Sequence, residues 1–124
     1  MFKTLSIAVT AVLVTLSPAL AAGDAENGKR VFNKCKACHV ANEEKNRIGP
    51  HLVGLFGRTA GSVEKYRYSK SMKDSGIVWN AETLDAYLAN PRQYVKGTRM
   101  AFPGLKKASD RDDVSGYLRE VTKP

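Results

Sequence analysis

Apolar positions fall into a few short blocks separated by polar or Gly/Pro-rich chain. Residues 5 to 16 form a nearly continuous apolar run, interrupted only by Ser6, Thr10 and Thr15. From Ala25 the pattern changes to a 3-and-4 spacing. Ala25, Gly28, Val31, Phe32 and Cys35 then share one face of a helix expected over residues 25–34, with Asp24 as its N-cap. Gly28 is costly in a helix interior, which is best explained by a second backbone crossing closely there. Residues 40–47 are polar and read as a surface loop, and residues 48–58 as irregular but partly buried chain.

A short helix is expected near 69–75, terminated by Gly76. Asn80 is the next N-cap candidate, opening a helix from Ala81 to about Asn90. Leu84, Tyr87 and Leu88 line one side of it, and Pro91 ends it. Arg92 to Arg99 reads as a basic loop and 100–104 as a Gly/Pro-bounded loop. Ser109 and Asp112 match a capping box before a last helix, Asp110 to about Val121, with Val114, Tyr117, Leu118 and Val121 on one stripe. Residues 77–79 are too short to build a sheet. The expectation is an all-α fold in which the first and last helices cross, with Gly28 close to Val114 and Tyr117. Leu84 and Leu88 should join Phe32 and Leu118 around a common interior.

The first apolar run changes the domain count. It follows Lys3 and precedes Pro18 and the A-x-A pattern Ala19-Leu20-Ala21, which reads as an export leader with a cleavage site. The run is shorter than the roughly 20 residues of a bilayer-spanning helix, so an uncleaved anchor is the weaker alternative. Residues 1–22 are therefore expected to be removed, leaving 23–124 as a single domain. Export from a bacterial cell places it in the periplasm. About 100 residues make a small core, marginal unless something apolar is added to it.

The chemistry that could add it is Cys35-Lys36-Ala37-Cys38-His39. C-x-x-C-H reads as a covalent haem attachment site. Two thiols three positions apart can each add to one vinyl group of a single porphyrin, and the adjacent His39 can give a ring nitrogen to its iron. Two other readings use the same residues. A Cys35–Cys38 disulfide would resemble a thioredoxin-type motif, but that belongs at a helix start after a strand. Zinc held by Cys35, Cys38, His39 and His51 fits the usual ligand spacing poorly.

Charge then narrows the partners. Twenty Lys and Arg against twelve Asp and Glu give a formal net charge of +8. Such a balance implies an acidic partner surface, nucleic acid or anionic lipid. Export argues against nucleic acid, and no nucleic-acid motif is present.

In combination the motifs are specific. Phe32-x-x-Cys35-x-x-Cys38-His39 is followed by Gly49-Pro50-x-Leu52-x-Gly54-Leu55-x-Gly57-Arg58, by Trp79, and by Tyr87-Leu88-x-x-Pro91. Gly97-Thr98-x-Met100-x-Phe102 and Tyr117-Leu118 complete the series. From Gly23 to about Thr122 the chain resembles the class I c-type cytochromes, of the bacterial c2 type and close to mitochondrial cytochrome c.

The resemblance implies the small monohaem fold, with two or three further helices beside the crossed terminal pair. It implies one covalent haem c, attached through Cys35 and Cys38, with His39 and Met100 as iron ligands. Pro50 matches the carbonyl that receives the histidine N–H. Tyr68, Trp79 and Arg58 match groups around the inner propionate, Tyr87 and Thr98 a network beside the methionine, and Phe102 the aromatic residue flanking the haem edge. Met72 stands where mitochondrial relatives have an asparagine in a buried-water network. A thioether is a weak acceptor, so that network should be altered.

The function implied is a soluble, monomeric one-electron carrier between membrane redox complexes, with no catalytic residues and no stable membrane insertion. Lys34, Lys36, Arg92, Lys96, Arg99, Lys106 and Lys107 are expected to steer transient docking to acidic redox partners. The competing classes are a haem enzyme with an open sixth site and a haem-free thiol–disulfide oxidoreductase.

Overall fold

In the computed structural model, which describes residues 11–13 and 23–124, the first expected helix forms as α1, Ala25–Phe32. Apart from 11–13, the expected leader and its cleavage site lie outside the described residues. Asp24 caps α1 by accepting from the backbone N–H groups of Glu26 and Asn27. Such a cap satisfies donors that have no partner inside the helix. The helix stops before the thiols. Residues 33–38 continue as hydrogen-bonded turns, with Cys35 N–H donating to Phe32 at 2.8 Å.

Helix α2, Lys70–Asp74, is capped by Ser69, and α3, Ala81–Ala89, by Asn80. Asn80 and Thr83 form a reciprocal capping box, each side chain bonding the other's backbone N–H at 2.9 Å. Pro91 does more than end α3. It is the first residue of a one-turn helix, α4, Pro91–Tyr94, capped by the Asn90 side chain. The basic segment read as a loop therefore begins helical. A proline fits the first helical position because its missing N–H would have no partner there.

The last helix, α5, spans Ala108–Val121 and corrects the expected capping box. Ser109 lies inside the helix, so its side chain cannot serve as N-cap; Lys107 holds the cap position without a side-chain bond. Arg111 fixes the entry instead. It bonds the carbonyls of Leu105 and Lys106 and the Asp85 carboxylate on α3, the last at 2.6 Å.

Helices α1 and α5 cross, and Phe32 packs on Tyr117 with ring centroids 5.6 Å apart. At Gly28 a Cβ would run into the Asp113 carbonyl and the Tyr117 side chain, so the backbones approach as closely as the glycine permits. Val114, 1% exposed, is the most deeply buried large residue of the crossing. Asp113 tightens it with two bonds of 2.7 Å, accepting from the Asp24 backbone and the Asn27 side chain. Among the described residues the only β pairing is an isolated bridge, Thr59 to Val78, beside reciprocal backbone bonds that tie 57–60 to 77–79. This clasp holds the irregular chain as one wall of the interior.

Candidate functional site

The helices and loops enclose a cavity of about 450 Å³ whose lining is mostly apolar. Phe32, Leu52, Leu55, Leu84, Leu88 and Leu118 wall it, so the face expected of Phe32, Leu84, Leu88 and Leu118 does point inward. Cys35, Cys38, His39 and Met100 all border the same space.

The Cys–His side is built by backbone bonds. The N–H groups of Cys38 and His39 both donate to the Cys35 carbonyl, at 3.1 and 2.9 Å, which turns the three side chains toward one region. Gly49 donates to the Cys38 carbonyl at 2.8 Å and lies flat against the imidazole, where any Cβ would overlap the ring. His39 Nδ1 lies 2.7 Å from the Pro50 carbonyl oxygen. A carbonyl only accepts, so Nδ1 carries the proton and Nε2 keeps its lone pair for a metal. Burial lowers the His39 pKa and the Arg58 charge adds to this, against the opposing pull of the Pro50 bond. The ring is thus neutral, as a metal ligand must be.

Cys35 and Cys38 are free thiols, and burial together with the neighbouring Cys38 pushes Cys35 up to about 11, against a smaller opposing effect of Lys34. Redox-active cysteines of C-x-x-C motifs have the opposite shift, lowered by a helix N-terminus or a cationic neighbour. The Cys35 environment is thus unlike that of a thiol–disulfide site.

The opposite wall carries hydroxyls. Tyr87 and Thr98 share a 2.7 Å hydrogen bond, and the Met100 N–H reaches Thr98 Oγ1 at 3.4 Å. Burial raises the Tyr87 pKa, partly offset by the Thr98 bond, so the phenol stays protonated. Trp79 packs on Tyr87 with centroids 5.1 Å apart. Tyr68 accepts from the Val63 N–H at 3.2 Å and keeps its own proton to donate. Arg58 is held by the carbonyls of His51 and Val53 at 3.0 and 3.1 Å. Met72 is buried on α2, which meets the Thr98–Met100 segment through Ser71 against Gly97. Tyr68, Trp79, Arg58, Met72 and Phe102 all line the cavity, as do Pro50, Tyr87 and Thr98.

The docking set is brought together only in part. Lys34 and Arg99 border the cavity, whereas Lys36, Arg92, Lys96, Lys106 and Lys107 are exposed without lining it. Arg99 also bonds the Arg67 carbonyl at 3.1 Å.

Comparison with known proteins agrees with this arrangement. A family model described as cytochrome c matches residues 25–122. A cytochrome c of Gibberella zeae is 49% identical over 106 residues, 84% of this chain and the whole of that protein. A cytochrome c of Stellaria longipes is 50% identical over 103 residues, covering 82% of this chain and 95% of its own. The cytochrome c-550 of Nitrobacter winogradskyi is 47% identical over 102 residues, covering 82% and 94%.

The chain belongs to the cytochrome c family.

This cytochrome is accordingly an electron carrier with one covalently bound haem c. The cavity fits that group on its own terms. It offers a neutral imidazole with a free nitrogen, a thioether, two free cysteines and apolar walls, with a phenol whose proton is free at one side. Among the described residues no helix is long and apolar enough to cross a membrane.

Two contributions escaped the sequence reading. Gly49 stood in the motif series beside Pro50, but its place against the His39 ring was not foreseen. Asp113 acts on residues 86 to 89 positions away, a distance at which no local pattern reports.

Proposed function

We propose that residues 23–124 are the mature cytochrome, released from a leader ending near Ala22, and that it shuttles single electrons in the periplasm. Cys35 and Cys38 would hold the haem through thioether links, and His39 and Met100 would be its iron ligands. When bound, the haem supplies a one-electron couple, Fe(III)/Fe(II).

The chain's own residues set the conditions for that couple. Pro50 holds His39 in one tautomer and raises its basicity as a ligand. The soft Met100 sulfur and the dry apolar wall both favour the reduced state and raise the potential. Tyr68, Trp79 and Arg58, which line the cavity, would stabilise a propionate carboxylate of the haem by donation or charge. Tyr87 and Thr98 position the Met100 backbone, and Met72 replaces a polar group on the same wall with an apolar thioether. Phe102, also on the lining, would flank the haem edge. With His39 and Met100 both given to the iron, the reading includes no catalytic residue.

Docking is transient and electrostatic. Lys34 and Arg99 at the mouth, with Lys36, Arg92, Lys96, Lys106 and Lys107 around it, steer a monomer to acidic surfaces of membrane-bound or periplasmic redox proteins. Raising ionic strength should slow second-order electron transfer steeply.

The observation that carries the reading is the pinned imidazole, with a free nitrogen and a methionine bordering the same apolar cavity. The test is the optical spectrum of the holoprotein, oxidised then reduced. Sharp low-spin reduced bands with a weak sulfur-to-iron band at the red end of the oxidised spectrum are expected. A high-spin spectrum that shifts on adding carbon monoxide would overturn it in favour of an open-site haem enzyme.

A further inference from the structure

Where α1 meets α5, two residues carry chemistry that the cavity does not use. Asn27 precedes Gly28, and no other asparagine of the chain is followed by glycine. In such a pair the glycine backbone nitrogen can attack the asparagine Cγ. A five-membered succinimide closes as ammonia leaves, and water then opens the ring. The product is aspartate, or isoaspartate when the main chain is rerouted through Cγ. Glycine favours the attack because it has no Cβ in the way and leaves the backbone free to turn.

The helix crossing withholds what this reaction needs. Ring closure requires a free Gly28 nitrogen and backbone torsions other than helical ones. The Gly28 N–H donates to the Asp24 carbonyl at 2.8 Å within α1. Gly28 is also buried against the Asp113 carbonyl and the Tyr117 side chain, which leaves its backbone no room to turn. The leaving amide is held as well, with Asn27 Nδ2 donating to the Asp113 carboxylate at 2.7 Å. The last two restraints come from α5. The first is the helix itself, and eight residues do not persist as a helix without support.

The product would fit this corner badly. The Asp113 carboxylate accepts from the Asp24 N–H and from Asn27. Aspartate at position 27 sets a second carboxylate against it where a donor stood. Lys29 and Arg30, on the same helix, moderate the repulsion only through solvent, since neither bonds Asp113. Isoaspartate adds one carbon to the main chain and so breaks the helical register beside Gly28.

We propose that Asn27–Gly28 is a self-modification site kept latent by the crossing of α1 with α5. Whenever the two helices part, Asn27 converts to aspartate or isoaspartate, with water as the only co-reactant, and the product opposes their return. This property lies outside electron transfer and does not depend on it.

The test incubates the unaltered holoprotein at mildly alkaline pH, once in buffer and once in denaturant that separates the helices. Isoaspartate is counted by labelling with an isoaspartyl methyltransferase and located by peptide mass mapping. The peptide containing position 27 should label in denaturant and at least about a hundredfold more slowly in buffer, because reaction through a transient opening follows the population of the open form. Val114→Ala, which loosens the crossing away from the pair, should raise the rate in buffer about tenfold. Asn27→Gln should remove the label in denaturant, since its longer side chain closes the larger ring far less readily. Equal rates in buffer and denaturant would overturn the proposal, and so would the absence of label at position 27 in denaturant. Asn27→Asp should lower the denaturant midpoint at neutral pH; an unchanged midpoint would overturn the claim that the product opposes re-crossing.

Discussion

The two walls that face each other across the cavity are held by different means. On the histidine side, backbone bonds, a glycine pressed flat on the ring and a carbonyl on Nδ1 leave His39 one orientation. On the methionine side the main tie is a phenol–hydroxyl pair, with Met100 reached through one long 3.4 Å bond. Met100 and Phe102 are half-buried, and the next strong backbone tie is Leu105 to Leu88 at 2.7 Å. One wall is set by sterics, and the other by a few exchangeable hydrogen bonds. The lesson is that the methionine side should yield first under any stress that spares the core.

The sharpest way to break the comparison is to remove the proposed sulfur ligand outright. Met100→Ala should abolish the red-end sulfur band and admit carbon monoxide, with the His39 side retained; absorption spectra with and without the gas decide it. Next in size, Gly49→Ala places a methyl group against a ring that Pro50 will not release. Overpacking of this kind costs about 1–3 kcal/mol, which a denaturant titration would measure. A cost near zero would mean that the histidine wall is as yielding as its opposite.

A smaller effect is expected from Tyr87→Phe. It leaves Thr98 without its partner, a loss of about 1 kcal/mol that a denaturant titration would measure. The smallest effect lies away from both walls, at Asp113. Backbone donation from Asp24, and then Asn27, holds its carboxyl below the ordinary 3.8. A depressed folded pKa stabilises above the unfolded value and is lost as pH falls through the folded one. Asp113→Asn should therefore cost a little stability at pH 7 and nothing once the pH is well below about 3.8. Denaturant midpoints at pH 7, 5 and 3 would show the gap closing; a constant gap would disprove the carboxylate's role.

Local signals explain most of what was legible. Asp24, Ser69 and Asn80 cap helices by bonding residues two or three positions ahead, so each start could be read from a short window. The crossing of α1 and α5 was legible for another reason, since Gly28 makes sense only against a second backbone. Short-range rules misled where distant bonds decided the outcome. Ser109 and Asp112 have capping-box spacing, but Arg111, pinned to Asp85 on α3, fixes the approach to α5. Pro91 was read as a stop, and it is also a start, because Asn90 turns the chain and caps it. The residues that line the cavity were named by type and motif, and their hydrogen bonds came only with tertiary packing.

The crossing of α1 with α5 also has a consequence in time. The partner of the first helix is the last to be made, with Asp24 and Asp113 joined across 89 positions. While the chain emerges from its N-terminal end, α1 has nothing to pack on, and a helix of eight residues is too short to persist alone. Until residues 108–121 are in place the wall around Cys35 and Cys38 is incomplete, because Val114 and Leu118 line the same cavity. Truncation beyond Val114 should leave a chain that never shuts.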